Sequence, residues 1–265
     1  MTLSIARPAA SGDARVLVCM LGSFRILKRG IPVTLRPGGK VEQLFGLLAV
    51  QPRDGLAREE VLGMLWPSSD LPLAGQSLNT LVYSLHRTLG DALAGRPPVH
   101  RVDGRYRLNT DDGVRIDVME FDAAVDVGDR SGRNGDVVGA MASYDTAVEL
   151  YTGDLVAATD VRQLLERERL RARYLGVRAR LADHQFAIGE YEGALRNALA
   201  LLASDPCRED AHRMAMRCYV RVGQRAQALR QFAICRDVLA LEFAATTEPA
   251  TDDLFDLVRT APERV

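Results

Sequence analysis

Six polar side chains recur at helical spacing along one stretch of the chain: Gln76, Asn79, Thr80, Tyr83, Ser84 and Arg87. An amide presents a donor beside an acceptor, a hydroxyl offers either, and a guanidinium offers donors with positive charge. That set suits the edges of DNA bases and the oxygens of phosphates. Farther on, His100, Arg101, Arg105 and Arg107 fall within eight residues, with Tyr106 between two of the arginines. Guanidinium groups this close together suit phosphates or a narrow minor groove. Each set has a plainer alternative. A solvated helix face carries the first kind of residue, and a surface hairpin whose edge charges prevent aggregation carries the second.

Nothing comparable supports catalysis. Gly38-Gly39-Lys40 resembles the end of a phosphate-binding loop, but Val41 stands where a Ser or Thr is required and no Gly lies five residues before Gly39. HExxH, nucleophile-elbow and dinucleotide-binding motifs are absent. Cys19, Cys207, Cys218 and Cys235 form no CxxC pair and no zinc-like grouping with the four histidines. They read as buried free thiols in a reducing cytoplasm. An enzyme is therefore not expected, nor a cofactor or a metal.

The elements that must position the polar residues follow from periodicity. Val16–Leu21 is an apolar run, and Phe24, Ile26, Val33 and Leu35 then alternate with polar residues around Arg29-Gly30, as two or three short strands would. Val41, Leu44, Phe45 and Leu48 form the stripe of a first helix that ends at Gln51-Pro52. A second helix runs from about Arg58 to Trp66, with Val61, Leu62, Leu65 and Trp66 inward, and Pro67 stops it. A third runs from about Ala74 to Leu89, and Gly90 ends it. At roughly 100° per residue, Leu78, Leu81, Val82, Leu85 and Leu89 share one face, and Gln76, Thr80, Tyr83 and Arg87 lie opposite, flanked by Asn79 and Ser84. Val99–Val102 and Arg105–Leu108 make a hairpin about Asp103-Gly104. Strands, three helices and a hairpin are the order of a winged helix-turn-helix. Its third helix would enter the major groove, with Asn79 or Gln76 placed for a bidentate pair with adenine.

From Val114 onward the pattern reads as almost entirely helical. Gly189, Tyr191, Ala194 and Leu195 reappear as Gly223, Arg225, Ala228 and Leu229, a spacing of 34 residues, and Gly-x4-Ala also occurs at Gly135 and Ala140. That is the tetratricopeptide period, in which helix pairs stack because one pair cannot bury its apolar faces alone. The step from Gly135 to Gly189 is 54, so that unit carries about 20 extra residues, assigned to the long Arg-rich helix from Val161 to Ile188. The fold class is thus mainly α: a winged helix-turn-helix (α+β) over 15–112, then an all-α tetratricopeptide-like domain over 113–260. Residues 1–14 read as a disordered lead-in with no signal-peptide pattern, and no run is long enough for a membrane helix. Net charge divides with the domains. Residues 1–110 hold 14 Lys and Arg against 8 Asp and Glu, whereas the remainder holds 20 against 27. Only the first part is expected to meet a polyanion, and to bind it without the second.

In these features the sequence resembles the Streptomyces antibiotic regulatory protein (SARP) family over about Val16 to Val258. The likeness rests on Leu21-Gly22-x-Phe24, Arg58-Glu59-Glu60-Val61-Leu62-x-x-Leu65-Trp66, Asn79-Thr80-Leu81-Val82-Tyr83-x-Leu85 and Arg105-Tyr106-Arg107-Leu108. It continues through Asp117-x-x-x-Phe121, Ala147-x-x-Leu150-Tyr151-x-Gly153-x-Leu155 and Gly223-Gln224-x-x-x-Ala228-Leu229. The resemblance implies an activator, often of secondary-metabolite gene clusters. Such a protein binds direct repeats of double-stranded promoter DNA as a side-by-side pair. It recruits RNA polymerase through the sigma factor, the beta flap and the alpha C-terminal domain. The sequence departs from the family at Ser84-Leu85-His86-Arg87, where more arginines are usual, and at Ala57, where a Ser usually caps the second helix. An interaction module whose winged helix no longer binds DNA is the other reading.

Overall fold

The computed structural model describes residues 15–36, 38–51, 54–156 and 160–265; the expected lead-in at 1–14 lies outside them. The chain divides into two compact units, the first ending at Ala172 and the second running from Arg173 to Val265.

In the first unit, β1 (Val16–Cys19) pairs antiparallel with β2 (Arg25–Lys28), and β2 with β3 (Ile31–Pro32). Three helices follow: α1 (Lys40–Val50), α2 (Arg58–Leu65) and α3 (Leu71–Leu89). The two-residue strand β4 (Leu56–Ala57) precedes α2 and completes a sheet with the hairpin of β5 (Val99–Val102) and β6 (Arg105–Leu108), in the order β4-β6-β5. Leu44, Phe45 and Leu48 of α1, Val61, Leu62 and Leu65 of α2, Leu78, Leu85 and Leu89 of α3, and Val99, Tyr106 and Leu108 of the hairpin are all buried. Each large apolar side chain of this kind stabilises the fold by about 1.5–3 kcal/mol. Val41, Leu81 and Val82 are only half-buried.

Two expectations are corrected here. Trp66 is not a core residue. It is half-buried at the C-cap of α2, where Lys40 Nζ lies 5.7 Å from its ring and also donates to the Leu65 carbonyl, closing the end of the helix. Val114–Ile116 is not helical but a strand, β7, which pairs parallel with β1 and makes the sheet order β3-β2-β1-β7. The first compact unit thus runs past residue 112 to Ala172. The next helix, α4 (Asp117–Arg133), is tied to that sheet at its first residue. The buried Asp117 carboxylate accepts from Met20 N (2.8 Å), Leu21 N (2.9 Å) and Val118 N (2.8 Å). Burial pushes this carboxyl up to about 6, against the pull of the three N–H groups.

Helix α4 packs against α5 (Val137–Leu150), and α6 (Val161–Ala187) runs across the division at Ala172. The second unit continues with α7 (Tyr191–Ser204), α8 (Glu209–Arg221), α9 (Arg225–Phe243) and α10 (Pro249–Thr260). The repeat has a local structural meaning. Gly135, Gly189 and Gly223 each follow a helix with φ near +80°, a left-handed conformation that glycine adopts without strain. Five residues on, Ala140, Ala194 and Ala228 are buried where the next helix packs. The 20 extra residues of the long unit have two locations. Helix α6 has 27 residues against 13 in α8, and the connection before it spans 151–160 against 205–208. In the second unit Ala182, Ala194, Ala198, Met214, Ala215 and Cys218 form one apolar cluster, and Met216, Ala228, Leu254 and Val258 form another. Burial pushes the Cys218 thiol up to about 11 and Cys235 to about 12; Cys19 in the first unit rises to about 11. These thiols stay protonated and unreactive at neutral pH.

Candidate nucleic-acid interface

The sequence of α3 makes one face greasy and the other polar, and the fold uses both as that pattern requires. Pro72 stands in its first turn, where a missing N–H costs nothing, and His86 and Arg87 stand in the last, where positive charge suits the helix dipole. Lys28 Nζ donates to the Thr88 carbonyl at 2.8 Å and pairs with Asp91 at 2.7 Å, which holds the end of the helix against β2. The ammonium beside Asp91 holds its carboxyl below the usual carboxylate range.

Gln76, Asn79, Thr80, Tyr83, Ser84 and Arg87 are all exposed on this helix. They are not equally available. Thr80 Oγ1 donates to the Gln76 carbonyl at 2.9 Å, so its hydroxyl is turned onto its own helix. Asn79 Oδ1 accepts from Arg58 Nη1 at 3.1 Å, so its carbonyl is already engaged. That oxygen keeps a second lone pair, so a bidentate pair with adenine is compatible with the bond to Arg58. Tyr83 is 64% exposed, a large aromatic surface left open to solvent.

The three hairpin arginines separate. Strand alternation puts Arg101, which lies opposite Tyr106, on the side of the hairpin that meets Arg58 and α3, and puts Arg105 and Arg107 on the other side. Arg101 is exposed. Arg105 holds the hairpin in place: its Nε donates to the Asp54 carbonyl at 2.8 Å, and its Nη2 donates to the Gly55 carbonyl at 3.0 Å and lies 3.4 Å from Glu60 Oε2. Arg107 is half-buried, and its Nε is enclosed without a hydrogen-bond partner among the described residues. Arg101→Ala is expected to lower the slope of log affinity for DNA against log salt by about 1. Arg105→Ala should leave that slope unchanged and cost about 1 kcal/mol of stability. Salt titrations and thermal melts of the two variants check this.

Sequence reasoning passed over Arg58. It is the first residue of α2, donates to Asn79 Oδ1, to Tyr106 Oη at 2.9 Å and to the Gly75 carbonyl at 3.1 Å, and so joins α2, α3 and the hairpin. A signal for it was present. A cation at a helix N-terminus opposes the dipole, so an arginine there needs another reason. Ala57 is partly compensated as well, because Glu60 Oε2 accepts from Ala57 N at 2.8 Å, the backward half of a capping box. Among the described residues no cluster of His, Cys, Asp and Glu is arranged to hold a metal, and no helix is long and apolar enough to cross a membrane.

Comparison with known proteins adds to this geometry. Residues 116–259 match the family described as bacterial transcriptional activator domain. The regulatory protein DnrI of Streptomyces peucetius is 28% identical over 233 residues, which cover 84% of each chain. The transcriptional regulatory protein MoaR1 of Mycobacterium tuberculosis is 24% identical over 248 residues, covering 89% of this chain and 76% of that one. Among solved structures, EmbR of Mycobacterium tuberculosis in complex with a low-affinity phosphopeptide superposes with a TM-score of 0.72 at 18% identity. That alignment covers 92% of this chain and 65% of EmbR, so this chain spans less than two thirds of that protein, and the likeness is one of fold.

Proposed function

This chain belongs to the bacterial transcriptional activator domain family, among transcriptional regulators of the Streptomyces antibiotic regulatory type, and from that premise we propose that it binds promoter DNA through α3 and the β5–β6 hairpin. One observation carries the reading: α3 exposes Gln76, Asn79, Tyr83, Ser84 and Arg87 over buried Leu78, Leu85 and Leu89, and Arg58 bonds both Asn79 of this helix and Tyr106 of the hairpin that bears the exposed Arg101. Gln76, Asn79, Tyr83, Ser84 and Arg87 would read base edges and phosphates, with Thr80 contributing its methyl. Arg101 would meet the flanking backbone. Residues 15–112 supply this surface, and 113–260 carry the contacts for activation.

The finer reading follows the family. Two copies sit side by side on direct repeats and recruit RNA polymerase through the sigma factor, the beta flap and the alpha C-terminal domain. The protein then has no catalytic role and needs no cofactor. Footprinting on promoters beside its own gene, followed by transcription in vitro, tests it. Two protected repeats and increased transcript are expected. Protection without increased transcript would remove the recruiting role.

A further inference from the structure

We propose that Arg58 is a phosphate-binding residue, placed between the reading helix and the hairpin to neutralise one phosphate of the DNA backbone. The inference rests on α3 being the helix that enters the groove. Arg58 is half-buried, and its guanidinium donates only to neutral groups: Nη1 to Asn79 Oδ1 at 3.1 Å and to Tyr106 Oη at 2.9 Å, and Nη2 to the Gly75 carbonyl at 3.1 Å. Among the described residues no carboxylate pairs with it. The nearby Glu60 instead faces Arg105 at 3.4 Å and Arg162 at 3.7 Å. Arg58 is also the first residue of α2, where the helix dipole adds charge of the same sign. A positive charge partly withdrawn from water and left without a counter-ion favours an incoming anion.

The position of Arg58 identifies the anion. Asn79 is exposed on α3, and Tyr106 lies opposite the exposed Arg101 in the hairpin register. Arg58 bonds Asn79 and Tyr106 both, so it stands between the helix face that would read bases and the arginine that would meet the flanking backbone. A duplex engaged by both presents backbone phosphates to the group between them. The guanidinium also has donors left to give. Nε–H and one hydrogen of Nη2 have no partner among the described residues. The bonds already made hold its plane still, so little side-chain freedom is lost on binding. Tyr106 is buried, and Gly75 admits the guanidinium, since a Cβ there would stand 2.7 Å from Nη2.

The experiment uses the full chain, a duplex from its own footprint and a scrambled duplex. Arg58→Gln, neutral but still a donor, should lower the slope of log affinity against log salt by about 1 and weaken both duplexes alike. Arg58→Lys keeps the charge and should keep the slope. Neutral methylphosphonate, placed at one backbone position of the footprint at a time, locates the contact. At one position it should weaken the unaltered protein by about ten-fold and Arg58→Gln by less than about two-fold. Arg58→Met, which retains the apolar stem, serves if Arg58→Gln does not fold. A neutral variant with the slope of the unaltered protein would overturn the proposal, whatever its melting temperature, and would leave Arg58 as a structural joint. So would loss of affinity for the footprint alone, an equal fall of slope in Arg58→Lys, or the lack of any phosphate whose cost depends on Arg58. Failure of the unaltered protein to bind either duplex would overturn the reading of α3 as well, whereas salt-dependent binding with an unchanged slope in the variants overturns only the role of Arg58.

Discussion

Asp117→Ala is expected to destabilise the first unit by roughly 3–5 kcal/mol. The carboxylate is buried and accepts from three backbone N–H groups, of which Met20 N and Leu21 N lie almost a hundred residues earlier in the chain. Alanine leaves these donors enclosed with no water to replace the lost partner. A buried unsatisfied donor costs about 1–3 kcal/mol, and some relaxation keeps the total below three times that. Asp117→Asn keeps one acceptor oxygen and should fall between the two. Thermal melts and urea titrations measure both variants. A change within 0.5 kcal/mol for alanine would mean that the contact between the Met20–Leu21 backbone and α4 adds nothing.

The second large effect concerns truncation. The sequence suggested that residues 1–112 would fold and bind DNA alone; the structure predicts that they do not. Cutting there removes β7, which pairs with β1, and removes the helix that begins at Asp117. Val114, Ile116, Val118, Phe121 and Val125 are buried and would be lost. At about 1.5–3 kcal/mol each, five such side chains rival the total stability of a domain, about 5–15 kcal/mol. The 1–112 fragment should show no cooperative melt and bind DNA weakly, whereas a fragment ending at Ala172 should fold. A sharp transition in the shorter fragment, near that of the longer one, would contradict this.

These cases show which features could be read from the sequence. Helices α1 to α3 and the hairpin were legible because their apolar residues recur at a regular period over eight residues or more, between Pro and Gly stops. The repeat was legible because glycine at a left-handed turn and alanine at a tight helix contact leave little choice of residue. Strand β7 was not, since three residues show no period and its partner lies about a hundred positions away. Trp66 continued an inward stripe only by assuming that α2 extends one residue farther than it does. In the candidate site, the exposed face of α3 followed from the pattern, but the availability of each group did not. Arg101, Arg105 and Arg107 look alike in sequence, and only tertiary partners commit Arg105 to Asp54, Gly55 and Glu60. Strand alternation already placed Arg101 and Arg105 on opposite sides of the hairpin.

The central claim is that the outward face of α3 reads DNA sequence. It is tested most directly by fluorescence anisotropy of the full chain, unaltered and with Gln76, Asn79 and Arg87 replaced together by Ala, on a duplex from its own footprint and on a scrambled one. The account predicts that the unaltered protein prefers the footprint. The variant should lose most of that preference, at about 1–3 kcal/mol per base-reading contact, while keeping its melting temperature, because these exposed side chains support no buried packing. A variant that binds and discriminates as well as the unaltered protein would contradict the account and return this face of the helix to the role of a solvated surface.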